Sequence, residues 1–121
     1  MAAAIVDQVR DFIDSQRDSL ISLLQDLVEA ESPSAHPECH DSVRRILSGA
    51  FMDVGYAVRE PGMPGGARHI FARPSQRPRN RGNQLLVGHF DTVWPVGTIN
   101  RRPFTVNGNT IRGPGVFDMK G

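Results

Sequence analysis

The chain carries little that would tie it to an oxidising compartment, a bilayer or a polyanion. Its one cysteine, Cys39, cannot form an intrachain disulfide, which excludes a disulfide-stapled scaffold and suits a reducing compartment. No window reaches the ~18 consecutive apolar residues of a membrane span. The N-terminal "MAAAIVDQVRDFID" lacks the basic segment and apolar run of a secretory leader. A cytoplasmic protein with no membrane partner is therefore expected. The formal charge is only +1, which gives no reason to expect nucleic acid as a partner. Basic residues do gather in "ARPSQRPRNRG", 72–82, but Pro, Asn and Gly interrupt them and the run reads as a solvated loop. There is no internal repeat. No Gly-x-x-x-x-Gly-Lys phosphate loop is present either.

What is there begins with helices. At 121 residues the chain has the length of one small domain. From Ala4 to about Ala30 the apolar residues Ile5, Val9, Phe12, Ile13, Leu20, Leu23, Leu24, Leu27 and Val28 recur at steps of three and four. That spacing predicts one amphipathic helix, about 40 Å long, ending before Pro33. A second helix is expected from Pro37 to Val54, closed by Gly55 in a left-handed cap. Strand patterns follow: "YAVRE", "HIFAR" and "NQLLVGHF", with Leu85, Leu86 and Val87 read as a central strand buried on both faces. "FTVNGNTIRG" reads as a hairpin, two β-rich segments around Asn107-Gly108. The expected fold is a layered α/β domain, two helices and then a mostly buried sheet with a hairpin.

Two short motifs carry chemistry. In "GHFDTVWPVG", 88–97, His89 and Asp91 are two residues apart, so in a strand both side chains point the same way. The pair reads either as a metal ligand with its supporting carboxylate, or as a hydrogen-bonded histidine with a turn-capping aspartate. In "GPGVFDMKG", 113–121, two glycines around Pro114 permit a tight backbone approach ahead of Asp118. Alone, that is an ordinary Gly-Pro turn with an exposed aspartate. A third grouping, His36, Cys39 and His40 in "HPECH", has zinc-capable side chains but no fourth ligand nearby, and reads as a polar loop with a half-buried thiol. His69 is expected to be structural. Glu29 and Glu31, at the end of the first helix, fall in no motif.

Taken together, residues 88–121, "GHFDTVWPVG…RRPFTVNGNTIRGPGVFDMKG", resemble metallopeptidase family 20. These are two-zinc exopeptidases and amidohydrolases that include glutamate carboxypeptidases, aminoacylases, acetylornithine deacetylase and succinyl-diaminopimelate desuccinylase. "LLQDLVEAESPS" resembles the end of the family's first helix, and Trp94 is similar to the glutamate carboxypeptidase-like branch. The resemblance implies that His89 binds one zinc ion, that Asp91 acts catalytically by orienting the imidazole from behind, and that Asp118 bridges two Zn²⁺ ions. It implies a general-base glutamate in a later Glu-Glu pair, which this sequence does not contain. Residues 1–121 are thus expected to be an N-terminal fragment of a zinc-hydrolase catalytic domain, without its lid and dimerisation domain or its C-terminal half.

The expected parent activity is cleavage of a peptide or amide bond next to a carboxylate-bearing residue, as in a glutamate carboxypeptidase. The alternatives are an N-acyl amino acid deacylase of the same family, or a non-catalytic interaction module that retains the fold's N-terminal half. The expected substrate is a small peptide or N-acyl amino acid, and exposed apolar surface is expected to favour a homo-oligomer. With three residues after Asp118, the Asp118–Met119 peptide is expected to be trans or disordered.

Overall fold

The structure is a computed structural model that describes residues 1–78 and 80–121. Arg79, within the expected basic loop, lies outside the described residues. The first helical stretch is two helices rather than one: α1, Ala2–Ser15, and α2, Arg17–Glu29. The break is at Gln16 (φ −96°, ψ 5°), next to Ser15, whose hydroxyl donates to the Phe12 carbonyl at 2.6 Å. A serine that bonds back to the preceding turn competes with the helical ladder and bends it. Each piece is therefore about 20 Å long, not the expected 40 Å.

The second helix also starts later than its sequence pattern suggests. Pro37–Cys39 form a 3₁₀ turn, and α3 runs Asp41–Asp53. Gly55, at φ 86°, closes it as expected, with its N–H donating to Met52 O at 2.9 Å. α3 leads straight into β1, Tyr56–Arg59, which pairs antiparallel with β2, Phe71–Pro74. The junction is closed by polar contacts: buried Ser48 donates to Glu60 Oε1 at 2.8 Å, and Arg44 pairs with Glu60 and with Asp41. His69 precedes β2, its backbone N–H donating to Pro61 O at 3.0 Å.

After the basic loop the structure departs from the expected sheet. Leu85, Leu86 and Val87 are 82%, 94% and 82% exposed and belong to no strand, where a doubly buried central strand was expected. The physical reason is pairing: a run apolar on both faces is a strand only when neighbours flank it, and no described residue pairs with these three. Among the described residues the strands form two separate antiparallel pairs rather than one buried layer. The second is the expected hairpin, β3 Thr105–Asn107 with β4 Thr110–Arg112. Gly108 (φ 57°) occupies the first of its two loop positions, which suits glycine. Between these pairs lies a one-turn helix, α4, Thr98–Arg101.

The small core is centred on Leu27 and Val28 of α2 and Val43 of α3, with Ser32, His40, Thr92 and Thr98 buried around them. The face of α1 that carries Ile5, Val9, Phe12 and Ile13 stays half or more exposed. No helix among the described residues is long and apolar enough to cross a membrane.

Because Leu86 makes so little buried contact, Leu86→Lys is expected to change unfolding free energy by less than ~0.5 kcal/mol. The same change should weaken self-association of the chain. Chemical denaturation and sedimentation velocity of the two proteins test both parts. A large loss of stability would show that the segment is packed in solution.

Candidate functional site

The site is assembled by a long-range pairing. Pro33, just past α2, pairs in parallel with Thr92: Thr92 N–H donates to Ser32 O at 2.8 Å, and Ser34 N–H donates to Thr92 O at 2.9 Å. The Ser32 hydroxyl adds a bond to Phe90 O at 2.7 Å. Buried His40 donates from Nε2 to Pro33 O at 2.8 Å and packs edge-on against Phe90, ring centroids 5.5 Å apart. His40 is thus committed to the backbone. His36 pairs with Glu38 through Nδ1. The "HPECH" histidines are thus placed by packing and local hydrogen bonding.

On this frame stand His89 and Asp91, and the C-terminal turn brings Asp118 to them. His89 Nδ1 lies 2.9 Å from Asp91 O and 3.3 Å from Asp91 Oδ1, while Nε2 lies 2.9 Å from Asp118 Oδ1. The ring thus spans two carboxylates from segments 29 positions apart. The Asp91 carbonyl first, then the Asp118 carboxylate, raise the imidazole's pKa above its ordinary value. The Ser34 hydroxyl, donating to Asp91 Oδ2 at 2.6 Å, lowers the Asp91 pKa. The three side chains border a cleft of about 270 Å³ whose walls include Ser34, Trp94 and Phe117. Arg102 lies over the Trp94 ring, 5.1 Å from its centroid. A larger groove of about 470 Å³ runs along α1 and α2, is chiefly apolar and shares no lining residue with the cleft.

The turn bearing Asp118 is held from three sides. Gly115 takes φ 77° and lies so close to Thr92 that an added Cβ would fall 2.6 Å from Cγ2. The backbone N–H groups of Lys120 and Gly121 donate to Gly115 O (2.9 Å) and Val116 O (3.0 Å). The Lys120 ammonium reaches back to α2, donating to Leu27 O at 2.6 Å and Ala30 O at 2.9 Å. A cation on the open carbonyls of a helix C-terminus also faces the negative end of its dipole. Burial pulls the Lys120 pKa down to about 8, opposed by the nearby Glu31 carboxylate. The Asp118–Met119 peptide is cis, not trans or disordered as expected, in a turn secured by bonds within residues 113–121 and to α2.

Glu31 also has a structural task that its sequence context did not show. Its two carboxylate oxygens accept from Gly97 N–H (2.7 Å) and Ile99 N–H (3.0 Å), fixing the loop after Pro95 and the start of α4. Neither Glu31 nor Lys120 stands at a spacing that reveals its partner. A glutamate just past one helix and a glycine just before another are the only signals available.

A divalent cation can be tested against this donor set. Two ligands on one tetrahedral zinc stand about 3.3 Å apart, from bonds of about 2.0–2.1 Å. The 2.9 Å separation of Nε2 and Oδ1 thus needs opening by a few tenths of an ångström. The Nδ1 side, engaged by Asp91, leaves Nε2 facing that position, as a metal-bound histidine requires. The pair fits as part of a coordination set. Among the described residues no group of three or more His, Cys, Asp or Glu side chains converges on one point.

No family model matches the chain. It is similar to curated proteins named acetylornithine deacetylase. The protein from Klebsiella pneumoniae is 35% identical over 108 residues, 84% of this chain and 28% of that protein. The proteins from Salmonella newport and Erwinia tasmaniensis are also 35% identical, over 84% and 73% of this chain. The chain spans about a quarter of the length of these relatives, 24–28%.

Holding Asp118 in place through Lys120 should be worth a measurable fraction of the fold's stability. Lys120→Met keeps the aliphatic stem but leaves the Leu27 and Ala30 carbonyls without their charged donor. The expected loss is about 1.5–3 kcal/mol, the range for hydrogen bonds to charged groups. Lys120→Arg should lose less. Urea unfolding of the three proteins measures it, and equal midpoints for the unsubstituted chain and the Lys120→Met variant would show that the tether carries no net stability.

Proposed function

This chain belongs to metallopeptidase family 20, and on that premise we propose that it is the N-terminal part of the catalytic domain of a two-zinc amidohydrolase acting on an N-acyl amino acid. The observation that carries this reading is the meeting of His89 Nε2 and Asp118 Oδ1 at 2.9 Å with Asp91 on the opposite ring nitrogen. His89 and Asp118 would help hold the ions. Asp91 would keep the imidazole oriented from behind. Bound there, such ions lower the pKa of a shared water towards neutrality and polarise an amide carbonyl. Phe117 and Trp94, beside the cleft, would give an acyl group an apolar wall.

The deacetylase names of the relatives favour the deacylase over the glutamate carboxypeptidase reading, which Trp94 alone supported. A dedicated base and further ligands would come from parts of the whole protein beyond these residues, in keeping with the quarter of the relatives' length that the chain spans. The exposed apolar run at 85–87 supports the same reading, because it is built for burial against neighbouring strands.

Zinc takes about four donors, and residues 1–121 offer two candidate ligands, His89 and Asp118. Proton transfer by a general base typically adds about 10²–10⁴-fold. The 121-residue chain with excess zinc is therefore expected to hydrolyse no N-acyl amino acid above background. A longer natural protein containing it should do so, and should lose at least about 10²-fold in kcat/KM on His89→Ala or Asp118→Ala. Amide hydrolysis followed by amine release tests both. Zinc-dependent turnover by the short chain, abolished by the same substitutions, would overturn the two-donor argument.

A further inference from the structure

We propose that Ser34 is a positioning residue of this site: its hydroxyl pins the Asp91 carboxylate against the Nδ1 side of His89 and so holds Nε2 open towards Asp118. The consequence for a bound cation rests on the metal-site reading above, while the coupling itself is a property of these three side chains.

Ser34 has two roles that separate cleanly. Its backbone N–H bonds Thr92 O at 2.9 Å and completes the parallel pairing, which needs no side chain. Its hydroxyl has one proton and two acceptors in reach, Asp91 Oδ2 at 2.6 Å and Thr92 O at 3.1 Å. The shorter, charged acceptor takes it, since a hydrogen bond to a carboxylate is roughly twice as strong as one to a neutral group. The hydroxyl is therefore surplus to the pairing and is directed at the site.

Its effect follows from geometry. With Oδ2 held by Ser34, Oδ1 is left 3.3 Å from His89 Nδ1, a negative charge beside the Asp91 carbonyl that accepts the Nδ1 hydrogen bond. Together they favour the ring tautomer with its proton on Nδ1, the one whose Nε2 lone pair faces the cleft. The Asp91 side chain is 39% exposed, so without Ser34 its carboxylate can turn to water instead. The sequence hides this link, because positions 34 and 91 are 57 residues apart and "ESPS" reads as no more than a helix stop.

The test uses the 121-residue chain without metal, in an Asp118→Ala background that removes the acceptor at Nε2. Long-range ¹H–¹⁵N spectra, recorded about two pH units above the measured ring pKa, report which nitrogen carries the proton. Adding Ser34→Ala is expected to raise the ratio of Nε2–H to Nδ1–H at His89 about threefold, the scale of one lost hydrogen bond. Ser34→Thr, which keeps the hydroxyl, should restore the ratio. With Asp91→Ala also present, Ser34→Ala should have no further effect, because the path runs through that carboxylate. An unchanged ratio in the Ser34→Ala chain, or an equal shift with Asp91 absent, would overturn the proposal. A zinc titration of the unsubstituted chain against His89→Ala decides the metal reading separately: equal affinities would sink that reading, and the ring shifts would still decide the role of Ser34.

Discussion

Everything that brings the polar residues together depends on the parallel pairing of Pro33 with Thr92. It is a short pairing, two backbone bonds and one serine hydroxyl, but it joins segments 58 residues apart in sequence. His89 and Asp91 precede the paired Thr92 on one strand and Ser34 follows Pro33 on the other, so the register of the pairing decides which side chains meet. A slip by one residue would turn Asp91 to the opposite face, since alternate residues in an extended chain point opposite ways. The buried His40, bonded to Pro33 O and packed on Phe90, locks that register from below.

A second set of contacts ties the remaining pieces to the same helix end. Lys120 reaches α2's last carbonyls from the C-terminal turn, and Glu31 reaches forward to the amides of Gly97 and Ile99. The two charges are near enough that the carboxylate opposes the loss of the lysine's proton. They act as opposite clamps: the cation satisfies open carbonyls, the anion satisfies open amides, and each uses the backbone group its charge suits. Leu27 and Val28 supply the apolar surface between them, and Gly113 and Gly115 make room for the turn to close on Val28 and Thr92.

Local signals in the sequence locate local structure well. Gly55 caps α3, and the Asn107-Gly108 dipeptide marks a real hairpin, because both depend on residues a few positions apart. Boundaries set by competition are harder to read. The periodicity from Ile5 to Val28 is continuous across Ser15, and nothing in it shows that the hydroxyl would bond back to Phe12 and divide the helix. The 85–87 run misleads for a different reason: its composition describes the environment it suits, and strand formation needs partners that composition cannot supply. His89, Asp91 and Asp118 are legible from two motifs and the family they resemble. The residues that hold them, Ser34, Glu31 and Lys120, act through partners 57 to 93 positions away. No spacing rule reaches that far.

The contrast between the site and the exposed run bears on how such a centre is built. The His89–Asp118 contact forms although 85–87, immediately before it, lies open to solvent. Its geometry therefore does not rely on those residues being packed as a strand. It relies on α2, whose end accepts from Lys120 and whose continuation pairs with Thr92. Position is fixed here by polar contacts to backbone, each directional and short, while the buried hydrophobic core among the described residues is Leu27, Val28 and Val43. Hydrogen bonds of this kind contribute modestly to net stability but are costly to misplace. They can define one arrangement of His89, Asp91 and Asp118 where so small an apolar core would tolerate several. Burying the open apolar run would then add stability around an arrangement whose side chains already meet.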